Sequence, residues 1–525
     1  MNLKIIAAGP ESPAHLEDPK RLAELDALAK HTAEHGHTEQ DHDGHDHHHG
    51  SDHHAGRPQQ FTPRIFESRD YRASQETLAV LADGIKDADL VTAPVVLPDF
   101  YHKQLLEMPS SIAVATRNSI RPTLTSAAVN CGMALLTFDA PRPNDEQITR
   151  FYDDVRKAFP FPPTMRPDLT FDEVLRCATE GAEFAVDRWN LDPDDLLAIE
   201  EGGKLDLDQY GGKARVREEV PWLLLQLSRM RFGTIGPSTH FVELQEVEEV
   251  LEPEIAAKLG VHKGQIALQF HAGGGTLTGA IGALYGPRRA GSRLLKSIMN
   301  VQKPLHHFST ARSFSELRNR LALYFKDDCP PIPRDSAEGQ RLMVSNAVAM
   351  NYGFAFRLKT YSVLRRLAAD HFGTSSHMVV DSPHNSIYEE DVDGEVAIVH
   401  RHNTSRAYPA YRMAGHPIFS KTGQPVLVPG TNRTCSYLGV GSLGSKQSLY
   451  SACHGTGSII DDFAARGLST EDPQGHTTLR FHYNQPDPQV VKHLDNRGVD
   501  EGVSILTAND LVKPVARLRP FAVLN

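Results

Sequence analysis

The chain has 525 residues, of which 40% are hydrophobic and 23% are charged, a balance typical of a globular protein rather than a disordered or fibrous one. Its length exceeds the size at which one simple core usually stops growing, so several domains or one large elaborated domain are expected. A formal net charge of −11 argues against non-specific polyanion binding over the whole surface, so a nucleic-acid partner would require a local basic patch or metal ions.

The cysteines indicate a reducing environment. They are few, odd in number and widely spaced, unlike a disulfide framework, and are Cys131, Cys177, Cys329, Cys435 and Cys453. We therefore expect a cytoplasmic protein. The apolar run before Pro10 is too short for a secretory signal, and no later segment is long enough to span a bilayer. The sequence thus predicts a protein that is neither exported nor embedded in a membrane.

The first 58 residues divide into two segments of different composition. Residues 1–30 predict a short strand over residues 3–8 and then a helix that follows Asp18-Pro19. Residues 31–58 alternate His with Asp, Glu and Gly and have almost no apolar side chains, which predicts a disordered insertion. Two interpretations of this insertion stay open: a flexible arm that stores or delivers a transition metal, or a solvated linker with incidental metal affinity.

Residues 59–525 have a globular composition and form the third predicted segment. Apolar runs predict strands over residues 90–97, 111–116, 265–270, 378–381, 396–399 and 424–428. Helical spacing predicts helices over residues 144–159, 171–189, 313–324 and 343–369. Strands and helices do not alternate regularly as in a doubly wound fold, so the predicted class is α+β.

Five residues with reactive or metal-binding side chains punctuate this segment. They are Cys131, His240, His271, His384 and His454. Each lies near Gly, Pro or Asn, and several follow a predicted strand, where sheet scaffolds usually place their sites. Each taken alone is also compatible with a structural role, which for Cys131 and His271 is the more frequent one. One thiol with several imidazoles suits Zn, Mn, Co or Ni, and the wide spacing predicts a site assembled by tertiary folding.

His454 stands in the run Ser-Ala-Cys-His-Gly-Thr-Gly that ends at Gly457. Its glycines can bring backbone N–H groups close to a phosphate, while the imidazole presents a nitrogen nucleophile. The glycines of residues 273–275 and the turn at 429–432 also permit close approach to an anion, although each is also compatible with a flexible turn.

The motifs occur in an order that resembles the RtcB-type RNA-splicing ligases, from about residue 97 to the C-terminus. The motifs that carry this resemblance are Cys131-Gly-Met133, residues 233–243, His271-Ala-Gly273, Asn351-Tyr352, His384-Asn385, His400-Arg401, Pro429-Gly430 with Ser436-Tyr437, and His454-Gly-Thr-Gly457. The resemblance implies a single large α+β domain with mixed sheets surrounded by helices.

In such ligases a histidine attacks the α-phosphate of GTP and becomes linked to GMP, which then passes to an RNA 3′-phosphate. A 5′-hydroxyl displaces the GMP and joins the two RNA ends, and a 2′,3′-cyclic phosphate is first hydrolysed to the 3′-phosphate. The resemblance therefore implies Mn²⁺, GTP and RNA ends as cofactors and partners of this chain.

The resemblance also implies a role for individual positions. It makes His454 the nucleophile and makes Cys131, His240, His271 and His384 the metal ligands. The positions expected to contact the nucleotide are Thr239, Glu243, Asn385, Pro429, Gly430, Thr431, Asn432, Ser436, Gly455, Thr456 and Gly457.

Five positions depart from the family pattern at polar residues. Ala128 replaces an aspartate that would bind a second metal, which leaves that metal Cys131 and His240, while Cys131, His271 and His384 still form one complete metal site. Thr239 replaces an asparagine. Two arginines of the family fall at Gly275 and Ser458, and a near-terminal, base-contacting lysine falls at Asn525.

These losses keep three interpretations open. The first is a GTP-dependent ligase in which Arg401, Arg406 or Arg433 restores the lost positive charge. The second is a catalytically impaired paralogue that binds metal or RNA ends. The third retains a nucleophilic histidine but uses another nucleotide, because the lysine that would contact guanine is absent.

Overall fold

The computed structural model describes residues 61–525, except residues 165, 238, 290–292 and 327–329. The strand and helix predicted within residues 1–30, the predicted insertion at residues 31–58, and Cys329 lie outside the described residues. The residues from 61 onward belong to one compact unit. In that part of the chain no helix combines the length and the apolar character needed to cross a bilayer.

The strands of the described residues are numbered in chain order. They are β1 Arg64–Ile65, β2 Val95–Val96, β3 Ile112–Thr116, β4 Ser119–Ile120, β5 Gly132–Phe138, β6 Phe241–Val250, β7 Ile266–Ala272, β8 Ile332–Pro333, β9 Ser376–Pro383, β10 Asn385–Val392, β11 Glu395–His402, β12 Thr404–Arg406, β13 Pro425–Val428, β14 Ser436–Gly441, β15 Ser451–Cys453, β16 Thr477–Phe481, β17 Gln489–Lys492 and β18 Val512–Leu524.

The α-helices of the same residues are numbered in the same way. They are α1 Gln75–Ile85, α2 Asp145–Ala158, α3 Phe171–Glu180, α4 Ala182–Trp189, α5 Lys213–Glu219, α6 Trp222–Leu227, α7 Pro253–Lys258, α8 Gly275–Leu284, α9 Arg293–Ser309, α10 Phe314–Tyr324, α11 Ala337–Phe372, α12 Phe419–Thr422, α13 Gly457–Ala465 and α14 Arg497–Ala508.

The central sheet has the strand order β13-β14-β18-β6-β7-β5-β9, and β16 and β17 extend it from β18. A second sheet has the order β1-β2-β3-β11-β10. Parallel and antiparallel pairs occur together, since β16 runs parallel to β18 whereas β6, β7, β5 and β9 pair antiparallel. The α+β class with mixed sheets and surrounding helices is confirmed.

The central sheet is buried on both faces, which explains why its strands read as nearly continuous apolar runs. Alternate residues of β5 enter different cores: Ala134 and Leu136 pack with the helices, whereas Met133 and Leu135 pack on the opposite face. The helical side contains α11, a helix of 36 residues that begins after its N-cap Ser336 and ends at Gly373 with φ +71.

Two predicted elements need correction. The helix predicted over residues 171–189 is two helices, because Gly181 takes φ +58 between α3 and α4 and a helix cannot continue through that conformation. The strand predicted over residues 90–97 is reduced to β2, while Leu90 forms only an isolated bridge with Thr116. Pro94 precedes β2 and has no N–H to donate to a ladder.

The hydroxyl of Tyr152 fastens α2 to the central sheet, and its removal should destabilise the fold. This buried oxygen lies 2.8 Å from the carbonyl oxygen of Ala522 and accepts a bond of 3.3 Å from the N–H of Leu244. Tyr152→Phe should lower the free energy of unfolding by about 1–3 kcal/mol, because backbone groups lose a buried partner. Urea denaturation would measure this. Tyr411→Phe, at an exposed tyrosine, is the control, and equal losses in both variants would contradict the assignment.

Candidate metal centre and histidine nucleophile

The strand register of the central sheet brings four of the predicted site residues to one end of the sheet. Cys131 directly precedes β5 and His240 directly precedes β6, while His271 is the penultimate residue of β7 and His384 follows β9. Because β5 and β6 run antiparallel to β7 and β9, the first residues of one pair lie beside the last residues of the other.

The ring of His271 is at the centre of this group. Its Nε2 lies 3.2 Å from the Cys131 Sγ and 3.0 Å from the His384 Nε2, and the Cys131 Sγ lies 3.7 Å from the His240 Nε2. Two groups of three residues could each hold a metal ion, because the ligand atoms within each group lie within 4.8 Å of one another. The first group is Cys131, His240 and His271, and the second is His271, His384 and His454.

The geometry therefore divides the histidines differently from the sequence prediction. The resemblance left only Cys131 and His240 for the weaker of two metals, and the structure adds His271 to that pair. It also places the predicted nucleophile, His454, among groups that can bind a metal. His271 belongs to both sets.

Hydrogen bonding fixes the tautomer of His271. Its Nδ1 lies 2.7 Å from the carbonyl oxygen of Thr239, which can only accept, so Nδ1 carries the proton and Nε2 presents a lone pair. Burial lowers the pKa of His271 well below its ordinary value, which keeps the ring neutral. Thr239, predicted to contact the nucleotide, thus acts here through its backbone carbonyl.

The residues present fit a transition-metal ion. The lone pair of His271 Nε2 faces the His384 Nε2 at 3.0 Å, and the His384 Nδ1 is buried without a hydrogen-bond partner among the described residues. A cation bound by this pair would accept lone pairs from the Nε2 atoms, while the His384 Nδ1 would keep no partner among the described residues. One thiol with several imidazoles is a donor set suited to Zn, Mn, Co or Ni.

Arg357 of α11 holds the chain segments that carry Cys131 and His384. The sequence alone did not single out this residue. This fully buried guanidinium donates to the Asp381 Oδ1 from Nε at 2.8 Å and from a terminal nitrogen at 2.6 Å, and also to the Asn130 Oδ1 at 2.7 Å. Asn130 precedes Cys131, and Asp381 lies three residues before His384. The available signal was an arginine within an apolar helical run.

Strand pairing brings His454 to the same place. β15, which ends just before His454, pairs with β12, and the N–H of Thr404 in β12 donates to the carbonyl oxygen of His384 at 2.8 Å. The His454 ring centre consequently lies 3.9 Å from that of His384. Burial lowers the pKa of His454 to about 4, so its imidazole is neutral near pH 7 and retains a lone pair for nucleophilic attack.

Asp99 adjoins the glycine loop after His454 and was also not singled out from the sequence. This buried residue has φ +66, and its Oδ1 accepts hydrogen bonds from the Ser458 N–H at 2.7 Å and from the Ser458 hydroxyl at 2.5 Å. A Cβ at Gly455 would lie 3.6 Å from the Asp99 Oδ2. Burial raises the pKa of Asp99.

Five of the eleven residues predicted to contact the nucleotide belong to two neighbouring sets of hydrogen bonds. Gln245 donates to the Glu243 carboxyl at 2.6 Å, and its amide nitrogen lies 3.3 Å from the Ser436 Oγ. That Oγ accepts from the Gly430 N–H at 3.1 Å. In the neighbouring loop, the Thr456 hydroxyl donates to the carbonyl oxygen of Pro429 at 2.9 Å.

The remaining predicted nucleotide positions lie in loops or at the first residue of a strand or helix. The Thr431 N–H donates to the Thr434 hydroxyl at 3.0 Å, Asn432 follows it, and Gly457 begins α13. Asn385 has a structural role, since its Nδ2 donates to the carbonyl oxygen of Ala128 at 3.3 Å and its Oδ1 accepts from a backbone N–H at 3.0 Å.

The chain is similar to known proteins over most of its length. A family model described as tRNA-splicing ligase RtcB matches residues 86–525. The chain belongs to the RtcB family. It is similar to the tRNA-splicing ligase RtcB of Pyrococcus abyssi, at 27% identity over 420 residues, which cover 75% of this chain and 42% of that protein.

Two further relatives match over more of their own length. The tRNA-splicing ligase RtcB of Thermococcus kodakarensis is 27% identical over 441 residues, which cover 78% of this chain and 82% of that protein. The RNA-splicing ligase RtcB of Mycobacterium tuberculosis is 28% identical over 367 residues, which cover 67% of this chain and 76% of that protein. This RtcB chain thus spans less than half of the Pyrococcus relative and most of the other two.

The structure explains how this RtcB chain accommodates three departures from the family pattern. Gly275 takes φ +77, and a Cβ there would lie 2.8 Å from the Phe356 ring, so no larger side chain fits without movement. Ala128 lies in the turn before Cys131, whose N–H donates to the Ala128 carbonyl oxygen at 3.0 Å. The side-chain oxygen of Asn525 accepts from the Arg480 Nε at 2.9 Å, which places a guanidinium beside this residue.

Of the three arginines considered as replacements for lost charge, two are already paired. Arg401 is fully buried and forms two bonds with the Glu390 carboxylate, at 2.6 and 2.9 Å. Arg406 is buried and pairs with Glu201 at 2.5 Å. Arg433 is partly exposed and forms no ion pair with a described residue.

Replacing Glu243 with Gln should flatten the pH dependence of stability in this RtcB chain. Burial raises the pKa of Glu243 from 4.5 to about 8, so the folded protein keeps a proton that the unfolded chain releases between these values. The stability that this proton contributes is fully present below the pKa of the unfolded chain, 4.5. It is lost as the pH rises through the pKa of the folded protein, about 8. The slope is at most about 1.4 kcal/mol per pH unit for one proton.

Urea denaturation between about pH 5.5 and about pH 7.5 would test this, because both values lie between the two pKa values of the carboxyl. Glu243→Gln should lose less unfolding free energy over this interval than Glu246→Gln, a control at a partly exposed position of the same strand. Parallel pH profiles in the two variants would contradict the buried, protonated state of Glu243.

Proposed function

We propose that this chain is a GTP- and metal-dependent RNA ligase that joins a 3′-phosphate end to a 5′-hydroxyl end. The observation that carries the proposal is the position of His454, a neutral imidazole in a glycine loop within the same ligand group as His271 and His384. Membership of the RtcB family supports the reaction class. Residues 59–525 are the proposed catalytic unit, and the cytoplasmic location stays a prediction from cysteine usage.

The reaction runs in three steps. An unprotonated ring nitrogen of His454 attacks the α-phosphorus of GTP, so that a P–N bond forms and pyrophosphate leaves. The GMP then passes to an oxygen of the RNA 3′-phosphate, which frees the histidine. The 5′-hydroxyl of the second RNA end then attacks the phosphorus of the activated RNA 3′-phosphate. GMP leaves, and a phosphodiester bond joins the two RNA ends. A 2′,3′-cyclic phosphate is first opened by water to the 3′-phosphate.

Cys131, His240, His271 and His384 are the proposed metal ligands, and Mn²⁺ is the proposed ion. A bound divalent ion would offset the triphosphate charge and polarise the α-phosphate. The protein orients these ligands itself, because the Thr239 carbonyl fixes His271 and Arg357 holds the segments that carry Cys131 and His384.

The proposed nucleotide site is the hydrogen-bonded group of Glu243, Ser436, Gly430, Pro429 and Thr456. Arg433 follows the Pro429–Gly430 turn, and Arg433 and Lys103 both act electrostatically on Asp461 of α13, the helix that follows the His454 loop. These two cations are the proposed counterparts of the phosphates that the family arginines would contact.

The catalytically impaired paralogue is the second candidate, and the pairing of two arginines favours it. Arg401 is held by the buried carboxylate of Glu390 and Arg406 by the carboxylate of Glu201, and Gly275 has no room for a side chain. If Arg433 and Lys103 do not hold the triphosphate, the chain would bind metal or RNA ends without transferring GMP.

Covalent labelling tests the proposal directly. The protein is incubated with α-labelled GTP and Mn²⁺, denatured, and separated by electrophoresis. The wild type should retain acid-labile label, and His454→Ala should lose it by at least about 100-fold. His377→Ala, at an exposed histidine of β9, is the matched control and should label like the wild type.

Two results would contradict guanylylation of His454. One is label that survives in His454→Ala. The other is no label on the wild type with Mn²⁺, Co²⁺, Ni²⁺ or Zn²⁺, which would favour the binding paralogue. Label from ATP but not GTP would instead support a histidine nucleophile with another nucleotide.

A further inference from the structure

A basic groove lies along the outer side of the C-terminal half of α11. Its cavity measures about 300 Å³ and is lined by residues of α11 and by the end of α4. Three of the α11 residues are cationic: Lys359, Arg365 and Arg366. From Lys359 to Ala369, the lining follows α11 for ten residues, which corresponds to roughly 15 Å along the helix axis.

The positive charge of the groove is only partly offset, since Asp168 acts electrostatically on Lys359. The Lys359 ammonium lies 4.9 Å from the ring centre of Trp189, and neither Lys359 nor Arg366 forms an ion pair with a described residue. Arg365 is the exception, since it pairs with Asp195 at 3.5 Å. Burial and the neighbouring Arg366 lower the pKa of Lys359. An anion that enters the groove would therefore reduce the repulsion between the cationic side chains of the groove.

The groove and the proposed reaction centre share α11, but they lie on different faces of that helix, because Arg357 faces Asp381 whereas Lys359 faces Trp189. Lys359 is two residues beyond Arg357, which holds the segments of Cys131 and His384. The aliphatic part of the Lys359 side chain packs closely on Gly233. A Cβ added at Gly233 would lie only 2.2 Å from the Lys359 Cγ. Gly233 begins the segment that leads to His240. The cationic row thus extends away from the metal ligands along α11.

We propose that this groove holds the phosphate backbone of the RNA strand whose end is in the reaction centre. This inference rests on the proposed function. Lys359 and Arg366 contact phosphates, and Trp189 positions the Lys359 ammonium through its ring face. A net charge of −11 repels RNA from most of the surface, so a strand that leaves the centre is guided along this row of cations.

The test compares binding of a fluorescent single-stranded RNA with a 3′-phosphate to the full-length chain and its variants. Lys359→Glu with Arg366→Glu should weaken binding by about tenfold or more at low salt, and should reduce the slope of log K against log salt by about 1.4, because two phosphate contacts are lost. Arg312→Glu with Arg318→Glu is the matched control, since it makes the same charge change at exposed residues next to and within α10.

Covalent labelling by GTP separates failure of this inference from failure of the proposed function, because labelling requires no RNA. The groove variant should label like the wild type, which also shows that it folds. Lys359→Gln with Arg366→Gln should give a smaller loss of RNA affinity than the Glu pair. If the groove and control variants bind RNA equally, the groove inference is wrong even when labelling succeeds. If RNA affinity falls only in the groove variants while the wild type takes no label, the groove inference holds and the ligase proposal fails.

Discussion

The buried ion pair between Arg357 and Asp381 holds together the segments on which the metal centre depends. Arg357 donates to Asp381 in β9 and also to Asn130, the residue before Cys131. The N–H of His384 in turn donates to the Cys131 carbonyl oxygen at 2.9 Å. A buried pair of this kind contributes little net stability compared with apolar packing, but it specifies one arrangement because either charge alone would be costly. Its role here is positional: it sets the separation of a thiol and an imidazole that the chain places far apart.

Burial of the clustered histidines links the fold to the proposed chemistry. Desolvation lowers the pKa of each clustered histidine, so the rings are neutral and their lone pairs remain free to bind a cation or attack phosphorus. The same low-polarity surroundings raise the pKa of Cys131 to about 12, and a bound cation would favour its thiolate instead. Ala128 offers no carboxylate, and the candidate ligand atoms of the cluster are nitrogen and sulfur, a donor set that favours softer ions than an oxygen-rich site does.

The sequence singled out the residues that the structure brings together in the candidate site, because a thiol and imidazoles beside glycines at strand ends are a local pattern. It did not predict that His271 is shared, since this depends on the register of β6, β7, β5 and β9 rather than on spacing. Nor did it predict that Arg401 and Arg406 are unable to replace lost charge, because their partners Glu390 and Glu201 are brought close only by folding. The α+β class and the long helix α11 followed from apolar patterning, which the buried core retains.

The most direct test of the central claim is to locate the metal. Crystals grown with Mn²⁺, and in parallel with Zn²⁺, would be measured at energies where each ion scatters anomalously. The account predicts that the strongest anomalous peak lies within bonding distance of the His271 Nε2, because this ring belongs to both sets of ligand atoms. Peaks for both ions that lie only away from His271 would contradict it.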